Sequence, residues 1–511
     1  MHKYWSKKPS KVIRSLIKQF TVKNDIILDP FCGSGVSIME AILNNRKAIG
    51  IDINPSAIFI TKQLISSIDL SLAQSEFNRI ENILKEKINK LYIVVRNDEK
   101  HIGTHFIWDS NNLIEVWYRD IHKKKRIRDQ SIEIDYDNAI NFDLPKNPII
   151  NQELFINSRV NIKEKTTVGD LFSKRNLVAL DMLYNEIETI QNTQIKEFFQ
   201  FCFTSSLGQA SKMVFVLESK NKTTVGSWVV GYWIPQKHFE INVWNCFSNR
   251  YHRILRAKEE QLKLKYNYKY TSIISDFTNT QKNVILKNDN SLNVLRELPD
   301  NCIDFILTDP PHGDRIPYLE LSVLWNSWLK FPKIQYDEEL VISNAKDRNL
   351  NIELYNLRFK IILQEIYRIL KVDHFFCLIF NSLDDETWIA LLNNLMEIGF
   401  QFYSITTMTY SAGSVIQDSR KQGLKSDFIL VLEKSHSLKI NHTINLIDLT
   451  EEYKDKINEY IEVNPYCQTY QILNYIIPHL FKSYTVIPMS QILSYIQKKY
   501  KYQKGWHLTN Q

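Results

Sequence analysis

Apolar and polar residues follow two different spacings near the start of the chain. In residues 11–20, KVIRSLIKQF, the apolar residues recur every three to four positions, which predicts a helix. The apolar runs DIILD (25–29) and KAIGID (47–52) have strand length, and the stretch SIMEAILNN between them again has helical spacing. Short buried strands that alternate with helices predict a parallel sheet with helices on both faces.

The same alternation returns in the second half of the chain. Strands are predicted at NVILKND (283–289), CIDFILTD (302–309) and HFFCLIFN (374–381), with amphipathic helices between them. FQFYSITTMTY (400–410) and SDFILVLEK (426–434) follow as an antiparallel pair. Together with the two early strands they predict one Rossmann-like α/β sheet of seven strands, mostly parallel with an antiparallel last strand.

The residues between these two halves differ in composition and interrupt the predicted sheet. We therefore predict that residues 1–65 and 281–436 are two parts of one α/β domain and that residues 66–280 are an insert. The insert contains a basic cluster, HKKKRIR, and an aromatic-rich block that we expect to serve mainly as core. Residues 437–511 predict a helical extension, which could dimerise, touch a nucleic acid or cover the core.

Composition limits the class of protein. The chain has 511 residues, 44% of them apolar, which supports sizeable cores in more than one domain. The net charge of +7 suits a polyanionic partner. None of the six cysteines forms a CxxC pair or a zinc-spaced cluster, so we expect reduced structural thiols and no metal. The absence of membrane-length apolar runs and of an apolar leader predicts a cytoplasmic protein.

The first candidate site is the glycine-rich turn in LDPFCGSGVSIMEA (28–41). Gly33 and Gly35 allow a tight turn and a close approach of a ligand to the backbone at the start of a helix. Asp52 ends the next strand, where an acid can accept hydrogen bonds from ribose hydroxyls. By itself, a glycine turn of this kind is as often a plain structural turn as a ligand-binding one. Asp29 favours a ligand site, because its carboxylate would repel a pyrophosphate and attract a cationic ligand.

Two further strand ends carry acids. Asp289 could accept the amine of an adenine ring, and a helix cap by Asp289 or Ser291 explains the acid equally well. In TDPPHGD (308–314), the Asp309 carboxylate and the Pro310 carbonyl could accept the N–H bonds of an exocyclic amine, while His312 stacks on the base. Prolines that merely stop a strand are the simpler alternative.

Together these motifs resemble those of the amino-methyltransferases that modify adenine N6 or cytosine N4 in DNA. The resemblance rests on DPFCGSG, GIDINP, DPPH and the N-terminal HKYWSKKPSKVI, and covers residues 1–60 and 283–434. It implies S-adenosylmethionine as cofactor, bound by Asp29, Pro30, Phe31, Gly33, Ser34, Gly35, Asp52 and Asp289. It also implies a catalytic motif of Asp309, Pro310, Pro311 and His312, where His312 replaces the usual Tyr, Phe or Trp.

On this resemblance the insert is the DNA-reading region, and base flipping is expected. We expect DNA contacts from Lys123, Lys124, Lys125, Arg126, Arg128, Arg175, Asn242 and Arg250, although basic stretches are more often plain solvated surface. The implied function is site-specific methylation of double-stranded DNA, with adenine N6 favoured, by a nucleoid-associated enzyme of a restriction–modification or other defence system. A cognate endonuclease or a defence-system subunit would be a partner, and the sequence leaves the oligomeric state open.

Three alternatives stay open at this point. The enzyme could modify cytosine N4, or it could act on an amino group of tRNA or rRNA, although the chain begins almost at the cofactor motif. A DNA-binding protein that has kept the fold without activity is the third alternative, and only His312 favours it. A fused nuclease is not expected, because no D…E-x-K cluster stands out.

Overall fold

The computed structural model describes most of the chain. The described residues are 2–5, 7–119, 126–130, 133–134, 145, 147–157, 160–219, 222–228, 231–264, 266, 268–278, 282–313, 316–331, 336–343, 345, 348, 350–380, 385–408, 427–435, 444–502 and 505–508.

The strands are numbered in chain order. They are β1 Ile26–Asp29, β2 Lys47–Asp52, β3 Ile93–Arg96, β4 Glu99–Asp109, β5 Asn112–Arg119, β6 Arg126–Asp129, β7 Glu133–Ile134, β8 Val214–Ser219, β9 Lys222–Trp228 and β10 Lys237–Ile241. They continue with β11 Tyr270–Thr271, β12 Val284–Asn288, β13 Ile303–Thr308, β14 Leu370–Phe380, β15 Gln401–Met408, β16 Asp427–Lys434, β17 Asn445–Leu446, β18 Thr485–Val486, β19 Tyr500–Tyr502 and β20 Trp506–Leu508.

The α-helices are numbered in the same way. They are α1 Ser10–Phe20, α2 Val36–Leu43, α3 Pro55–Ile65, α4 Leu70–Lys90, α5 Lys174–Glu188, α6 Thr193–Ala210 and α7 Val243–Lys263. The remaining ones are α8 Ser291–Glu297, α9 Tyr318–Trp328, α10 Ile352–Ile369, α11 Asp385–Ile398, α12 Glu451–Val463, α13 Thr469–Lys482 and α14 Met489–Lys499.

The main sheet joins strands from both ends of the insert. Its order is β11-β12-β2-β1-β13-β14-β16-β15, with parallel pairing from β11 to β14 and with β16 antiparallel to both of its neighbours. The prediction of a mixed α/β fold is confirmed. Within the described residues the sheet has eight strands in place of the predicted seven, because β11 pairs with β12. Two residues of the predicted insert, Tyr270 and Thr271, thus pair in the main sheet.

Helices cover both faces of this sheet, whose central strands β1 and β13 are mostly apolar. On one face, Ile27 and Phe305 belong to the same core as Ile13 of α1 and Ile38 of α2. On the other face, the neighbouring strand residues Leu28 and Ile306 pack in a second core with α8, α10 and α11. Successive residues of β1 and β13 thus point to opposite cores, as the two-residue period of a strand requires.

The insert forms a separate antiparallel sheet that is joined to the main domain through a shared core. The sheet order is β6-β5-β4-β10-β8-β9, and α4 to α7 pack in the same core. That core also contains Tyr4 and Trp5 of the N-terminal segment and Trp325 and Trp328 of α9. The aromatic block is largely core, as predicted, since Trp228, Phe239, Trp244 and Phe247 are buried.

The C-terminal extension covers one edge of the main sheet. Helices α12, α13 and α14 share a core with α11 and with β15, the edge strand. Ile472, Leu473, Ile476 and Ile477 of α13 are all buried in this core. Of the three roles that the sequence leaves open for the extension, covering the core is the one that its packing displays.

The described residues include neither a membrane-spanning helix nor a cluster of metal ligands. No helix in the part of the chain that the structure describes has the length and apolarity needed to cross a membrane. The cysteines are free thiols, and all but Cys302 are buried. Across the described ranges no group of three or more His, Cys, Asp or Glu side chains is arranged to hold a metal ion.

Candidate active site

A cleft opens at the carboxyl ends of β1, β2 and β13. The chain leaves β1 toward β2 on one side and returns through β13 on the other, so this is the point at which the strand order reverses. The N-terminal segment closes the cleft from a third side. Lining side chains include Tyr4, Trp5, Lys7, Lys8, Asp29, Phe31, Gly33, Ser34, Asp52, Thr308, Asp309, Pro311, Tyr318 and Glu339.

The glycine turn between β1 and α2 has the conformation that its sequence predicts. Gly33 and Gly35 have φ angles of +49° and +73°, in the left-handed region that favours glycine. A Cβ on Gly35 would lie 2.5 Å from the side chain of Thr61, and one on Gly33 would lie 3.1 Å from the ring of Tyr4. The turn therefore exposes backbone to the cleft and leaves no room for a larger residue at Gly35.

Asp29 ends β1 and is buried at the bottom of the cleft. Its carboxylate accepts hydrogen bonds from the Ser37 hydroxyl, from Thr308 Oγ1 at 2.7 Å and from the Phe31 N–H at 3.1 Å. Burial raises the pKa of Asp29 to about 6, while these hydrogen bonds oppose the rise. Asp29 thus connects β1, β13 and α2 and places a titratable carboxylate in the cleft.

Asp52 ends β2 on the other side of the glycine turn. Its Oδ2 accepts the Gly33 N–H and its Oδ1 accepts the Asn54 N–H, each at 2.9 Å. Burial raises the pKa of Asp52 to about 7, and the two backbone N–H groups counteract this. Each oxygen retains a lone pair, so the carboxylate can accept further hydrogen bonds from a ligand.

Asp309 follows β13 and is held by a lysine from the N-terminal segment. Lys8 Nζ lies 2.8 Å from Asp309 Oδ2 and 2.7 Å from Oδ2 of Asp427, which begins β16. The Lys8 side chain is only 7% exposed. A buried ammonium between two carboxylates forms charge-assisted hydrogen bonds with both and fixes their orientation.

The remainder of the DPPH motif is rigidly packed. His312 Nε2 lies 3.1 Å from Asp309 Oδ1, and the His312 ring meets Phe380 edge-on with the ring centroids 5.2 Å apart. The side chain of His312 is 8% exposed, so in this conformation it does not present an open stacking surface. Pro310 is buried, and the Pro311 carbonyl accepts a hydrogen bond from the Tyr355 hydroxyl at 2.6 Å.

Asp289 lies near the cleft but does not line it. Its Oδ1 accepts the Asn290 N–H at 2.7 Å and the Asn293 side-chain amide at 3.2 Å. The cap of α8 is neither of the two predicted candidates, Asp289 and Ser291, but Asn290, whose side chain accepts the Leu292 N–H. The predicted contact of Asp289 with an adenine stays a prediction.

The basic residues of the insert have different surroundings. Lys123, Lys124 and Lys125 lie outside the described residues, as does the side chain of Arg126. Arg128 is exposed on β6, with its guanidinium 4.3 Å from the centre of the Trp117 ring.

Arg175 needs a correction as a candidate DNA contact. Its side chain is 6% exposed and pairs with the buried carboxylate of Glu240 at 2.5 Å. Because an unpaired buried carboxylate is costly, this guanidinium is committed to the core of the insert. Asn242 is likewise buried and caps α7 through its side chain.

Arg250 is half-buried on α7. Burial and the nearby charge of Arg253 lower the pKa of Arg250. Its Nε has no hydrogen-bond partner within the described ranges. Arg250 and Arg253 together place two positive charges on this part of the insert.

Two groups in this region were not anticipated from the sequence. Lys8 lies within the N-terminal motif, yet its partner Asp427 is 419 residues away. Arg348 is buried between Glu320 and Glu339, with 2.8 Å from its Nη2 to Glu320 Oε2. Lys8 and Asp427 are 419 residues apart, and Arg348 and Glu320 are 28 residues apart, so no local spacing indicates these pairings.

Comparison with known proteins agrees with the motifs. A family model described as DNA methylase, for the N6 and N4 amino-methyltransferases, matches residues 2–63, which include the N-terminal segment and the glycine turn. In this segment the chain is similar to the DNA amino-methyltransferases. Curated type II methyltransferases are similar to longer parts of the sequence.

These relatives are similar over parts of their length. The type II methyltransferase M.MvaI of Kocuria varians is 20% identical over 67% of this chain and 62% of its own. M.MjaII of Methanocaldococcus jannaschii is 25% identical over 26% of this chain and 24% of its own. M.HpaI of Haemophilus parainfluenzae is 29% identical over 27% of this chain and 44% of its own. The chain thus spans less than two thirds of the length of each of these relatives.

Solved structures of methylases also match. A putative DNA modification methylase of Thermus thermophilus, complexed with S-adenosyl-L-methionine, is 12% identical over 32% of this chain and 56% of its own, with a TM-score of 0.17. A second structure of that methylase covers 33% of this chain and 58% of its own, with a TM-score of 0.18.

Proposed function

We propose that the chain transfers a methyl group from S-adenosylmethionine to an exocyclic amino group in double-stranded DNA, with adenine N6 as the favoured target. The observation that carries this proposal is the common cleft of Asp29, Asp52 and Asp309, which end β1, end β2 and follow β13. Two of these acids flank a left-handed glycine turn suited to a bound cofactor, and the third belongs to the DPPH motif.

The chemistry of the polar groups in the cleft fits S-adenosylmethionine. The buried carboxylate of Asp29 attracts a cationic amino group, and Asp52 can accept the ribose hydroxyls. The left-handed Gly33 and Gly35 leave the backbone open to close approach by the methionine end. When bound, S-adenosylmethionine supplies an electrophilic methyl group on its sulfonium.

The DPPH motif supplies the acceptors for the target base. Asp309 Oδ1 and the Pro310 carbonyl accept the two amine N–H bonds, which localises the nitrogen lone pair toward the methyl carbon. As that N–C bond forms, the electron pair of the broken S–C bond stays on sulfur. Asp309 then takes the surplus proton of the nitrogen or passes it to water. Positioning by Lys8 and by Tyr355, which holds the Pro311 carbonyl, keeps these acceptors in place.

His312 must move for the base to enter. Its Nε2 lies beside Asp309 Oδ1, the oxygen that the amine would contact. We propose that the ring swings aside when the flipped base arrives and then stacks against it. The edge-on contact with Phe380 gives the ring one stable resting position before that movement.

The insert reads the DNA sequence in this proposal. Arg128 is exposed, and Arg250 lies beside Arg253 on α7. Arg128 and Arg250 can therefore contact phosphates. We propose phosphate contacts for Lys123, Lys124, Lys125 and Arg126 as well. We further propose a restriction–modification or defence setting, in which a cognate endonuclease or another subunit of the system is the partner in the nucleoid.

Mapping of modified bases in DNA from cells that express the full chain tests this proposal directly. We expect N6-methyladenine at one recognition sequence and none in cells that express Asp309→Ala. N4-methylcytosine at the site would instead identify cytosine N4 as the target. Unmodified DNA together with methylated RNA from the same cells would overturn the DNA assignment.

Purified protein separates the cofactor site from the chemistry. Isothermal titration should show S-adenosylmethionine binding by the full chain and by Asp309→Ala, because Asp309 contacts the base end of the cleft. Asp29→Ala should bind at least tenfold more weakly, since one charge-assisted hydrogen bond contributes about 1.5–3 kcal/mol. Lack of binding by the unaltered chain would overturn the enzymatic proposal.

A further inference from the structure

The C-terminal extension has a recognisable order of elements. Three helices, α12, α13 and α14, are followed by the hairpin of β19 and β20. The hairpin pairs back with the segment between α12 and α13, where the Tyr466 N–H donates to the Trp506 carbonyl and the Trp506 N–H donates to the Cys467 carbonyl, each at 2.8 Å. Two helices joined by a turn and followed by such a hairpin form a winged helix–turn–helix, in which the last helix enters the DNA major groove.

We infer that this unit is a second DNA-binding element, in which α14 and the β19–β20 hairpin contact the duplex beside the catalytic cleft. The inference rests on the proposed function for its choice of DNA as the partner. It goes beyond that function because no motif for DNA contact was assigned to residues 437–511.

The two faces of α14 differ as a recognition helix requires. Ile492 and Ile496 are buried, and Tyr500 beyond the helix end is buried with them. The residues on the other side are polar or basic: Ser494 is partly exposed, and Gln497 and Lys498 are exposed. Lys499 at the last position of the helix and Lys501 in β19 are exposed as well. Hydroxyl, amide and ammonium groups are the side chains that contact phosphates and base edges in the major groove.

Charge is segregated within the extension. The acidic residues lie at Asp448 and along α12, whereas the sequence from residue 463 to residue 511 contains no Asp or Glu. The lysines of α14 and the hairpin therefore form a surface of a single sign. Such a surface complements a polyanion, and phosphate contacts of this kind supply most of the non-specific affinity for DNA.

The position of α14 relates this surface to the cleft. The Ser490 N–H at the start of α14 donates to Asp385 Oδ1 at 2.8 Å, and the Ser490 hydroxyl donates to Asp385 Oδ2. Asp385 begins α11, the helix that follows β14, and β14 lies next to β13 in the sheet. At the carboxyl end of β14, Phe380 contacts His312 of the DPPH motif. The recognition helix thus starts at the same edge of the sheet as the catalytic motif.

The test uses the full chain and three lysine substitutions that leave the core intact. The variant is Lys498→Gln/Lys499→Gln/Lys501→Gln, and fluorescence anisotropy with a random-sequence duplex measures affinity across a series of salt concentrations. The matched control is Lys18→Gln/Lys23→Gln/Lys47→Gln. Lys18 lies in the last turn of α1, Lys23 precedes β1 and Lys47 begins β2, so these residues lie toward the amino ends of the strands and away from the cleft. Thermal unfolding verifies that both variants are folded.

We expect the C-terminal variant to bind DNA more weakly and the control to bind like the unaltered chain. Each lost phosphate contact should reduce the slope of log K against log salt by roughly 0.9. The total reduction is therefore expected to be about 2 to 3, with unchanged binding of S-adenosylmethionine. A slope equal to that of the control would overturn the inference.

The remaining outcomes separate this inference from the proposed function. DNA binding and methylation by the intact chain with no change in the C-terminal variant would overturn only the second DNA contact. A failure of the intact chain to bind any duplex would overturn both. Loss of self-association in the variant, measured by light scattering, with unchanged DNA affinity would assign the surface to a second copy of the chain and overturn the inference.

Discussion

Lys8 Nζ lies 2.8 Å from Oδ2 of Asp309, so the N-terminal segment directly contacts the first residue of the DPPH motif. The same segment is anchored in the insert, where His2 Nε2 lies 3.1 Å from Thr204 Oγ1 and Lys3 Nζ donates to the Trp228 carbonyl at 3.2 Å. A stretch of a few residues therefore connects the proposed DNA-reading region with the proposed catalytic carboxylate.

Replacement of Lys8 by Met should reduce methyl transfer by about a hundredfold, the loss expected when a reacting group is displaced by about 1 Å. Without the ammonium, Asp309 and Asp427 repel each other, and the Asp309 carboxylate loses its orientation. Single-turnover rates would measure this, with S-adenosylmethionine affinity as the control, which we expect to stay within a few-fold. Lys8→Arg should recover part of the rate, whereas an unaltered rate in Lys8→Met would contradict the positioning role.

Cofactor affinity should depend on pH near neutrality. Burial raises the pKa of Asp29 to about 6 and that of Asp52 to about 7, so both gain protons as the pH falls through these values. A cationic amino group and ribose hydroxyls favour the ionised carboxylates, so binding lowers both pKa values and releases protons. S-adenosylmethionine should therefore bind progressively more weakly as the pH falls from 8 to 5, the window set by these two pKa values.

Calorimetry in buffers of different ionisation enthalpy measures the released protons. Asp29→Asn should bind weakly at every pH and lose the part of the pH dependence that is centred near 6. The same raised pKa values give folding stability the opposite pH dependence to cofactor affinity. Between the unfolded value of 3.8 and the folded values, the folded chain holds more protons, so these two groups make the ligand-free protein less stable as the pH rises toward 7. An affinity independent of pH would contradict the assignment of both acids.

Substitution of Gly35 by Ala should lower stability and abolish cofactor binding. The left-handed backbone costs an alanine roughly 1–2 kcal/mol, and the added methyl group would lie 2.5 Å from Thr61. Gly313→Ala is the matched control, because Gly313 also has a positive φ but, among the residues that the structure describes, its added methyl group would meet Ile342 alone, at 3.7 Å. Chemical denaturation should show a clearly larger loss for Gly35→Ala, and equal losses would show that the contact with Thr61 is easily relieved.

The carboxylates of Glu320 and Glu339 depend on Arg348 for their charge balance. The three side chains are 1–3% exposed, and Arg348 Nε donates to Glu320 Oε1 at 3.0 Å. Arg348→Met should destabilise the fold by about 3–5 kcal/mol, because two carboxylates would remain buried without a counter-charge. Denaturant unfolding measures this loss. Arg358→Met, which removes an exposed contact with the Asp337 carbonyl, should change stability by far less.

The common cleft of Asp29, Asp52 and Asp309 could be predicted from the sequence because parallel strands have their carboxyl ends at one edge. The apolar spacing of the short strands locates those ends to within a residue, and the glycine turn follows directly. The two-part sheet could be predicted for the same reason, since each half of it had too few strands to form a core. The short edge strand β11 was missed because two residues carry no periodic signal.

The failures concern contacts between distant segments. Arg175 is part of a basic, polar stretch and was expected at the surface, but Glu240 lies 65 residues later and holds it in the core. Nothing near Lys8 in the sequence indicates Asp427 as its partner. The winged arrangement of the C-terminal extension also depends on the pairing of Cys467 with Trp506, which helical spacing cannot reveal.

Replacement of His312 by Tyr should keep or raise the rate of methyl transfer. Tyrosine offers a larger stacking surface to a flipped base, and it removes the imidazole nitrogen that lies 3.1 Å from Asp309 Oδ1. His312→Ala should be slower than both, because it lacks a flat ring. Transfer rates on duplex DNA, together with the fluorescence of 2-aminopurine at the target position, would separate chemistry from base flipping. If His312→Tyr were slower than His312→Ala, the ring of His312 would act through its nitrogen on Asp309 and not through stacking.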